Sequence, residues 1–209
     1  MGDFHRTNLS DPWATVKGAA RLLVQPLDST FPDEINDVII TASGGTQYDA
    51  VGDWEDLGAT KTGVTISTNN AEETLDVDQI LGDIASDPVN WEATVSTALA
   101  ENTLEHIQLA WEGSDIDTNT TPTPDERSMG YGQPTEYTQR QLAVAYKNKS
   151  DLIRVIVFRK VQLQPVESAF TFNKTGEQIT IPIQLKALAD DTVEDVRSRF
   201  FVVYEQVGA

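Results

Sequence analysis

The chain contains no cysteine. Disulfides, thiolate nucleophiles and Cys-ligated zinc are therefore excluded. Histidine is almost absent too, at His5 and His106 alone. No stretch approaches the roughly 20 apolar residues that a membrane-spanning helix needs, so no membrane partner is expected. Residues 1–10 lack the apolar core of a secretory signal. Bases are scarce, at 15 Lys and Arg against 33 Asp and Glu, a formal net charge of −18. Residues 62–126 hold no Lys or Arg at all and fourteen acids. Residues 127–209 are faintly cationic, with eleven bases and nine acids. A surface this acidic repels nucleic acid rather than neutralising its phosphates. Two readings of the acidic third stay open. It is either a solvated face, or a face that meets the cationic third of a neighbouring copy or lines something negative.

Catalytic patterns are missing as well. There is no Gly-x-Ser-x-Gly, no phosphate-binding glycine loop and no His-x-x-x-His pair. Nothing assembles a nucleophile, a base and an orienting group, so an enzyme is not expected, nor a cofactor. His106 sits one residue off an apolar helical stripe and reads as a boundary residue. Paired carboxylates such as Asp76 with Asp78, or Asp190 with Asp191, carry little information in so acidic a chain. Asp115, Asp117, Asn119 and Glu126 stand at positions 1, 3, 5 and 12 of a calcium-loop pattern. Position 6 is Thr120 where the turn needs glycine, Pro122 and Pro124 stiffen the middle, and no helix is expected after Glu126. The pattern therefore reads as an acidic loop, and no metal is expected.

What remains is a chain of 209 residues, 39% apolar, enough for one good-sized domain. Residues 1–18 read as a polar arm and residues 19–209 as a single domain. Strand signals dominate. Residues 18–27 are β-like and run into Pro26. Residues 61–67, 72–79 and 91–99 alternate apolar with polar, as expected of antiparallel strands with one wet face. Residues 140–146 alternate Leu142, Val144 and Tyr146 against Gln141, Ala143 and Ala145. Residues 152–163 form a long β-branched run. In residues 178–188, Ile179, Ile181, Ile183 and Leu185 face one way, and Thr180, Pro182, Gln184 and Lys186 the other. Residues 199–206 are apolar on both faces and so should be covered on both.

Helical signals are few. One helix is expected from Asn102, with Glu105 closing a capping box. Leu104, Ile107 and Trp111 share its apolar face, and Gly113 ends it. A shorter helix behind Pro32 is expected within residues 31–41. Residues 41–57 read as turns and residues 114–137 as a long loop, uncommon inside a compact domain unless functional.

Several segments, in this order, resemble the tail tube protein (major tail protein) of long-tailed bacteriophages and related tailed viruses. The first is Gly52-Asp53-Trp54-Glu55-Asp56-Leu57-Gly58-Ala59-Thr60. The second is the acidic strand Leu75-Asp76-Val77-Asp78-Gln79. Then come the strand from Trp91 and the helix opening Leu99-Ala100-Glu101-Asn102-Thr103-Leu104-Glu105. The fourth is an Arg-flanked apolar strand ending in Phe158-Arg159-Lys160-Val161. The last are Ile181-Pro182-Ile183 with Ala187-Leu188-Ala189-Asp190, and the terminal strand at 199–206. Together they cover residues 53–206. Residues 1–26 and the 114–137 loop have no clear counterpart in that pattern.

The resemblance implies an antiparallel β-sandwich with one flanking helix, whose strands complete an inner β-barrel in a hexameric ring. Rings stack into a tube that conducts the DNA genome during ejection, with other tail proteins at its ends. The implied location is the virion tail, assembled in the host cytoplasm. DNA passes without specific binding, so the bore is expected to be anionic. Glu72, Thr74, Asp76 and Asp78 on one strand, and Glu92, Thr94 and Ser96 on another, are the expected bore-facing residues. Arg154, Arg159, Lys160, Arg197 and Arg199 are the expected contacts to neighbouring subunits. Three alternatives stand beside this reading. The chain is a tail terminator or other tube-like component; or it is the tube of a contractile injection machine; or it is a free-standing carbohydrate-binding β-sandwich, with Trp13, Trp54, Tyr131 and Tyr137 as its platform. The acidity is also compatible with a high-salt habitat.

Overall fold

The computed structural model describes residues 20–41, 48–75, 85–101, 103–121, 123–132, 136–147, 152–164 and 180–207, with backbone alone at 70–75 and 85–90. The arm, Asp76, Asp78, Asn102 and Ile179 lie outside the described residues. The strands are β1 (Ala20–Pro26), β2 (Ile39–Thr41), β3 (Tyr48–Ala50), β4 (Glu55–Asp56), β5 (Thr65–Leu75), β6 (Ala85–Leu99), β7 (Asp117–Asn119), β8 (Glu126–Ser128), β9 (Gln139–Lys147), β10 (Ile153–Leu163), β11 (Ile181–Ala187) and β12 (Phe201–Glu205). A single α-helix among the described residues, α1 (Leu104–Trp111), follows β6, and two 3-10 turns occupy Ile35–Asp37 and Val196–Ser198. The described residues are thus mostly β, antiparallel, with one α-helix.

Eight strands belong to one sheet, in the order β4-β1-β9-β10-β11-β6-β5. β12 lies beside the first half of β10, and β11 beside its end. Two further sheets are the hairpins β2–β3 and β7–β8. The expected sandwich is therefore not two separately hydrogen-bonded layers. One sheet curls instead. Leu22 and Val24 of β1, Leu142 and Val144 of β9, Phe158 and Val161 of β10, Ile181 and Ile183 of β11, and Val95 and Leu99 of β6 share one core cluster. A flat sheet cannot bring strands so far apart in its order into one core.

The curl is tied by a short backbone segment. Leu57 N–H donates to Leu22 O at 2.8 Å, beside β1. Three residues on, Thr60 bridges Leu99, and Lys61 N–H donates to Ala98 O at 2.9 Å, beside β6. Gly58 makes the turn between these two attachments at φ 75°, where an L side chain is strained.

The alternation in β6 and β11 is as expected. Ala93, Val95 and Leu99, and Ile181, Ile183 and Leu185, are buried while the residues between them are half-buried, Thr97 excepted. The expectation for β9 is corrected. Ala143 and Ala145 are fully buried and Gln141 nearly so. A second core lies behind β1, β9 and the start of β10, where Leu23, Ala145, Val155 and Val157 meet Val38, Ile39 and Trp54. Gln141 is satisfied there by Ser29 O at 2.8 Å and by Gln25 Nε2 at 2.8 Å. Small alanines let the β2–β3 layer close over this face.

Other expectations shift in detail. The segments at 61–67 and 72–79 are not separate strands. Residues 65–75 are one strand, with a register shift between Ala71 and Glu72, and 76–79 lie outside the described residues. The turn-rich stretch 41–57 contains the short β3 and β4, and the expected helix behind Pro32 is only the 3-10 turn. β12 is not covered on both faces, since Val203 is 48% exposed.

The helix also differs. Thr103 caps it, its hydroxyl accepting from His106 N–H at 3.3 Å. Glu112, at φ 50°, takes the left-handed position at its end, and Gly113 N–H donates to Gln108 O at 3.1 Å. Its buried face is Glu105, His106, Leu109 and Ala110, while Leu104, Ile107 and Trp111 are half-buried. His106 is therefore a core residue and not a boundary one, with Nδ1 at 2.8 Å from Glu101 O.

Candidate functional site

The outer face of β5, β6, β11 and the end of β10 carries three of the seven expected bore residues, Glu92, Thr94 and Ser96. Register places Thr65 beside Ser96 and Ser96 beside Gln184. The next row runs Ser67, Thr94, Lys186 and Gln162, and Asn69 stands beside Glu92. This face is polar because alternate residues of each strand point away from the core. Its rows hold one base, Lys186, whose Nζ is 2.8 Å from Glu92 Oε1. Gln184 Nε2 donates to Gln164 Oε1 at 3.0 Å. Glu92, Thr94 and Ser96 are thus brought together, on a face of hydroxyls and amides with its one acid–base pair closed. Glu72 and Thr74 stand further along β5, opposite Pro88 and Ser86 in the backbone register. Asp76 and Asp78 lie outside the described residues.

The expected inter-subunit bases divide into two groups. Arg154 is held by Glu205 and by the Tyr146 hydroxyl at 3.1 Å. Arg159 Nε donates to Ser198 O at 2.7 Å, and its guanidinium lies 3.9 Å from the centre of the Phe31 ring. Arg199 Nε donates to Val193 O at 2.9 Å. These three are built into their own chain. Lys160 and Arg197 make no side-chain ion pair among the described residues. The Asp190 carboxyl is held below its ordinary range first by the Thr192 hydroxyl at 2.7 Å and then by the Thr192 N–H, against a raising effect of burial, with the Lys160 and Arg159 charges adding to the lowering.

The long loop contains a hairpin that the sequence reading missed. β7 and β8 pair Asp117 with Ser128 and Asn119 with Glu126, and all six residues are exposed. No apolar residue marks it, so periodicity could not find it. It is anchored at its base. Arg127 pairs with Glu105, Gln108 Nε2 donates to Ser114 O at 2.9 Å, and Ser114 N–H donates to Gly130 O at 2.9 Å. Arg140 Nη1 lies 3.1 Å from Glu112 Oε1 on the same side of α1. A groove of about 950 Å³ runs between α1, the end of β1, the start of β9 and this hairpin. Both ion pairs line it.

For Glu105, burial pushes the carboxyl up, but the Arg127 hydrogen bond, a helix N–H and the Arg127 charge together outweigh it, and the group titrates below its ordinary value. The calcium-loop pattern does not survive as a loop. Asp117 and Asn119 are on one strand and Glu126 on the other, and Asn119 Oδ1 accepts from Thr121 N–H at 3.1 Å. Among the described residues no group of three or more His, Cys, Asp or Glu is placed to hold a metal. Of the aromatic platform, Trp54 is buried in the second core, Tyr131 packs on Trp111 at 5.3 Å, Tyr137 is partly exposed, and Trp13 lies outside the described residues.

Compared with known proteins, the chain matches no protein-family model and no curated protein.

Proposed function

We propose that this chain is a structural virion subunit, not an enzyme, that assembles into stacked hexameric rings forming a tail tube. The ordered segments at 53–206 suggest the family, and three physical features support the reading. The polar face of β5, β6 and β11 suits a bore wall, because Lys186, the one base those three strands contain, is paired with Glu92. The six residues of the β7–β8 hairpin are all exposed, and Arg127 at Glu105 is its ion pair to the rest of the chain among the described residues, so a neighbour is where it can gain contacts. β5 carries the reading. It is an eleven-residue strand at the margin of the sheet, with β6 its sole neighbour among the described residues. A long unprotected edge is a template for pairing with another chain.

Light scattering across a concentration series tests this. The expected masses are six times 23.0 kDa and multiples of it. A mass of 23.0 kDa at every concentration and ionic strength would contradict it.

A further inference from the structure

We propose that Met129 is an oxidation-sensitive clamp: conversion of its thioether to the sulfoxide releases the β7–β8 hairpin from the end of α1. The device belongs to the single chain and does not rest on the assembly reading above.

The two strands of the hairpin, Asp117–Asn119 and Glu126–Ser128, carry no apolar side chain, and all six residues are exposed. Met129 follows them directly and is half-buried. Its side chain lies over Gly113, the residue after the helix cap. A Cβ built on Gly113 would overlap Met129 Sδ and stand 2.9 Å from its Cε and 3.0 Å from its Cγ. Glycine at 113 is thus what makes room for the thioether. Polar contacts close the base around it. Ser114 N–H donates to Gly130 O at 2.9 Å, and Gly130 N–H donates to Ser114 Oγ at 2.8 Å. Beside these ties and the Arg127–Glu105 pair, Met129 is the apolar plug that seats the hairpin on the helix end.

A thioether suits this place and a sulfoxide does not. Oxidation turns a flexible apolar side chain into a polar one. The new oxygen is an acceptor with partial negative charge, and the donors at the hairpin base are already committed. Gly113 N–H goes to Gln108 O at 3.1 Å, Ser114 N–H to Gly130 O, Gly130 N–H to Ser114 Oγ, and Gln108 Nε2 to Ser114 O. The adjoining end of α1 is its negative pole, and its last turn holds no base. An acceptor held there without a donor is costly. Water supplies the donor, and reaching it turns the side chain off Gly113.

The oxidant is a hydroperoxide. The sulfur lone pair attacks one peroxide oxygen, an S–O bond forms and the O–O bond breaks. With hydrogen peroxide the second oxygen leaves as water. Sulfur loses two electrons and the peroxide gains them. A methionine sulfoxide reductase supplied with a dithiol reverses the step, leaving the thioether, a disulfide and water. The chain has no cysteine and two methionines, so Met129 is its one sulfur beyond the first residue.

Peroxide treatment of the purified whole chain tests this, with the oxidised position assigned by peptide mass spectrometry and amide hydrogen exchange followed in parallel. Once Met129 carries the added oxygen, exchange at 117–119 and 126–128 is expected to be roughly fivefold faster or more, with β9 and β10 unchanged. Reductases for both sulfoxide epimers should restore the original rates. M129L keeps an apolar plug that cannot be oxidised, and should show no acceleration under peroxide. Unchanged hairpin exchange in the chain oxidised at Met129 overturns the proposal. So does the same acceleration in peroxide-treated M129L, or a Met129 that stays unmodified while Met1 is oxidised.

Discussion

Arg21 Nε donates to Asp56 Oδ2 at 2.8 Å from a position only 2% exposed. A second guanidinium nitrogen reaches the same oxygen, and a third reaches Tyr48 O. One buried cation therefore ties β1 to β4 and to β3. Removing one partner of such a pair leaves an uncompensated charge in the interior. D56A is expected to cost about 3–5 kcal/mol, read as a fall in the urea midpoint at unchanged slope. The double variant R21M/D56L is expected to lose less than the two single losses added, because the residues act as a unit.

Gly58 stands where the chain leaves β1 for β6. An added Cβ would meet the Glu101 carboxylate, 2.7 Å from its carbon, at φ 75°. Gly63 has a similar φ of 73° with nothing within 4 Å. Both alanine variants meet the left-handed penalty of about 1–2 kcal/mol. G58A should lose more than G63A, and the difference in unfolding free energy measures the crowding at Glu101. Equal losses would mean that Glu101 moves aside freely.

The Glu105–Arg127 pair makes the anchoring of the β7–β8 hairpin sensitive to acid. The folded carboxyl titrates below its unfolded value, so its contribution is fully present above the ordinary glutamate range. It is lost as pH falls through the lower folded value. Arg127 is 45% exposed, so solvent screening keeps the pair to about 1 kcal/mol or less. E105Q should remove this part of the acid-limb slope in denaturation curves from pH 7 to pH 3. At pH 7 it should speed hydrogen exchange at 117–119 and 126–128.

The polar face should ignore DNA until it is given free cations. T65K, T94K and S96K together add three bases on two adjacent rows of this face. The wild-type chain is expected to show no DNA mobility shift at low salt, and the triple variant a shift that disappears as salt rises. A wild-type shift on duplex DNA would contradict a non-adhesive wall.

Much of the fold was legible because its strands alternate. Ile181, Ile183 and Leu185 declare their face, as do Ala93, Val95 and Leu99. β9 was misread because Ala143 and Ala145 look neutral in a pattern, yet their small size is what admits the second core. β2, β3 and β4 span two or three residues each, too short for any period. The helix face was read from its large apolar residues, whereas Glu105 and His106 are buried by their partners, Arg127 and the Glu101 carbonyl. Of the candidate site, the Glu92-Thr94-Ser96 face was legible and its neutralisation by Lys186 was not, since that pair spans ninety-four residues. The bonds of Arg154 to Glu205 and of Arg159 to the Ser198 carbonyl span 51 and 39 residues, so no local pattern announces them.

Electron microscopy of the concentrated, purified chain in negative stain tests the assembly most directly. End views should be six-fold rings with a stain-filled centre, and side views stacks of them. Fields of single compact particles, at every protein concentration and salt, would contradict it.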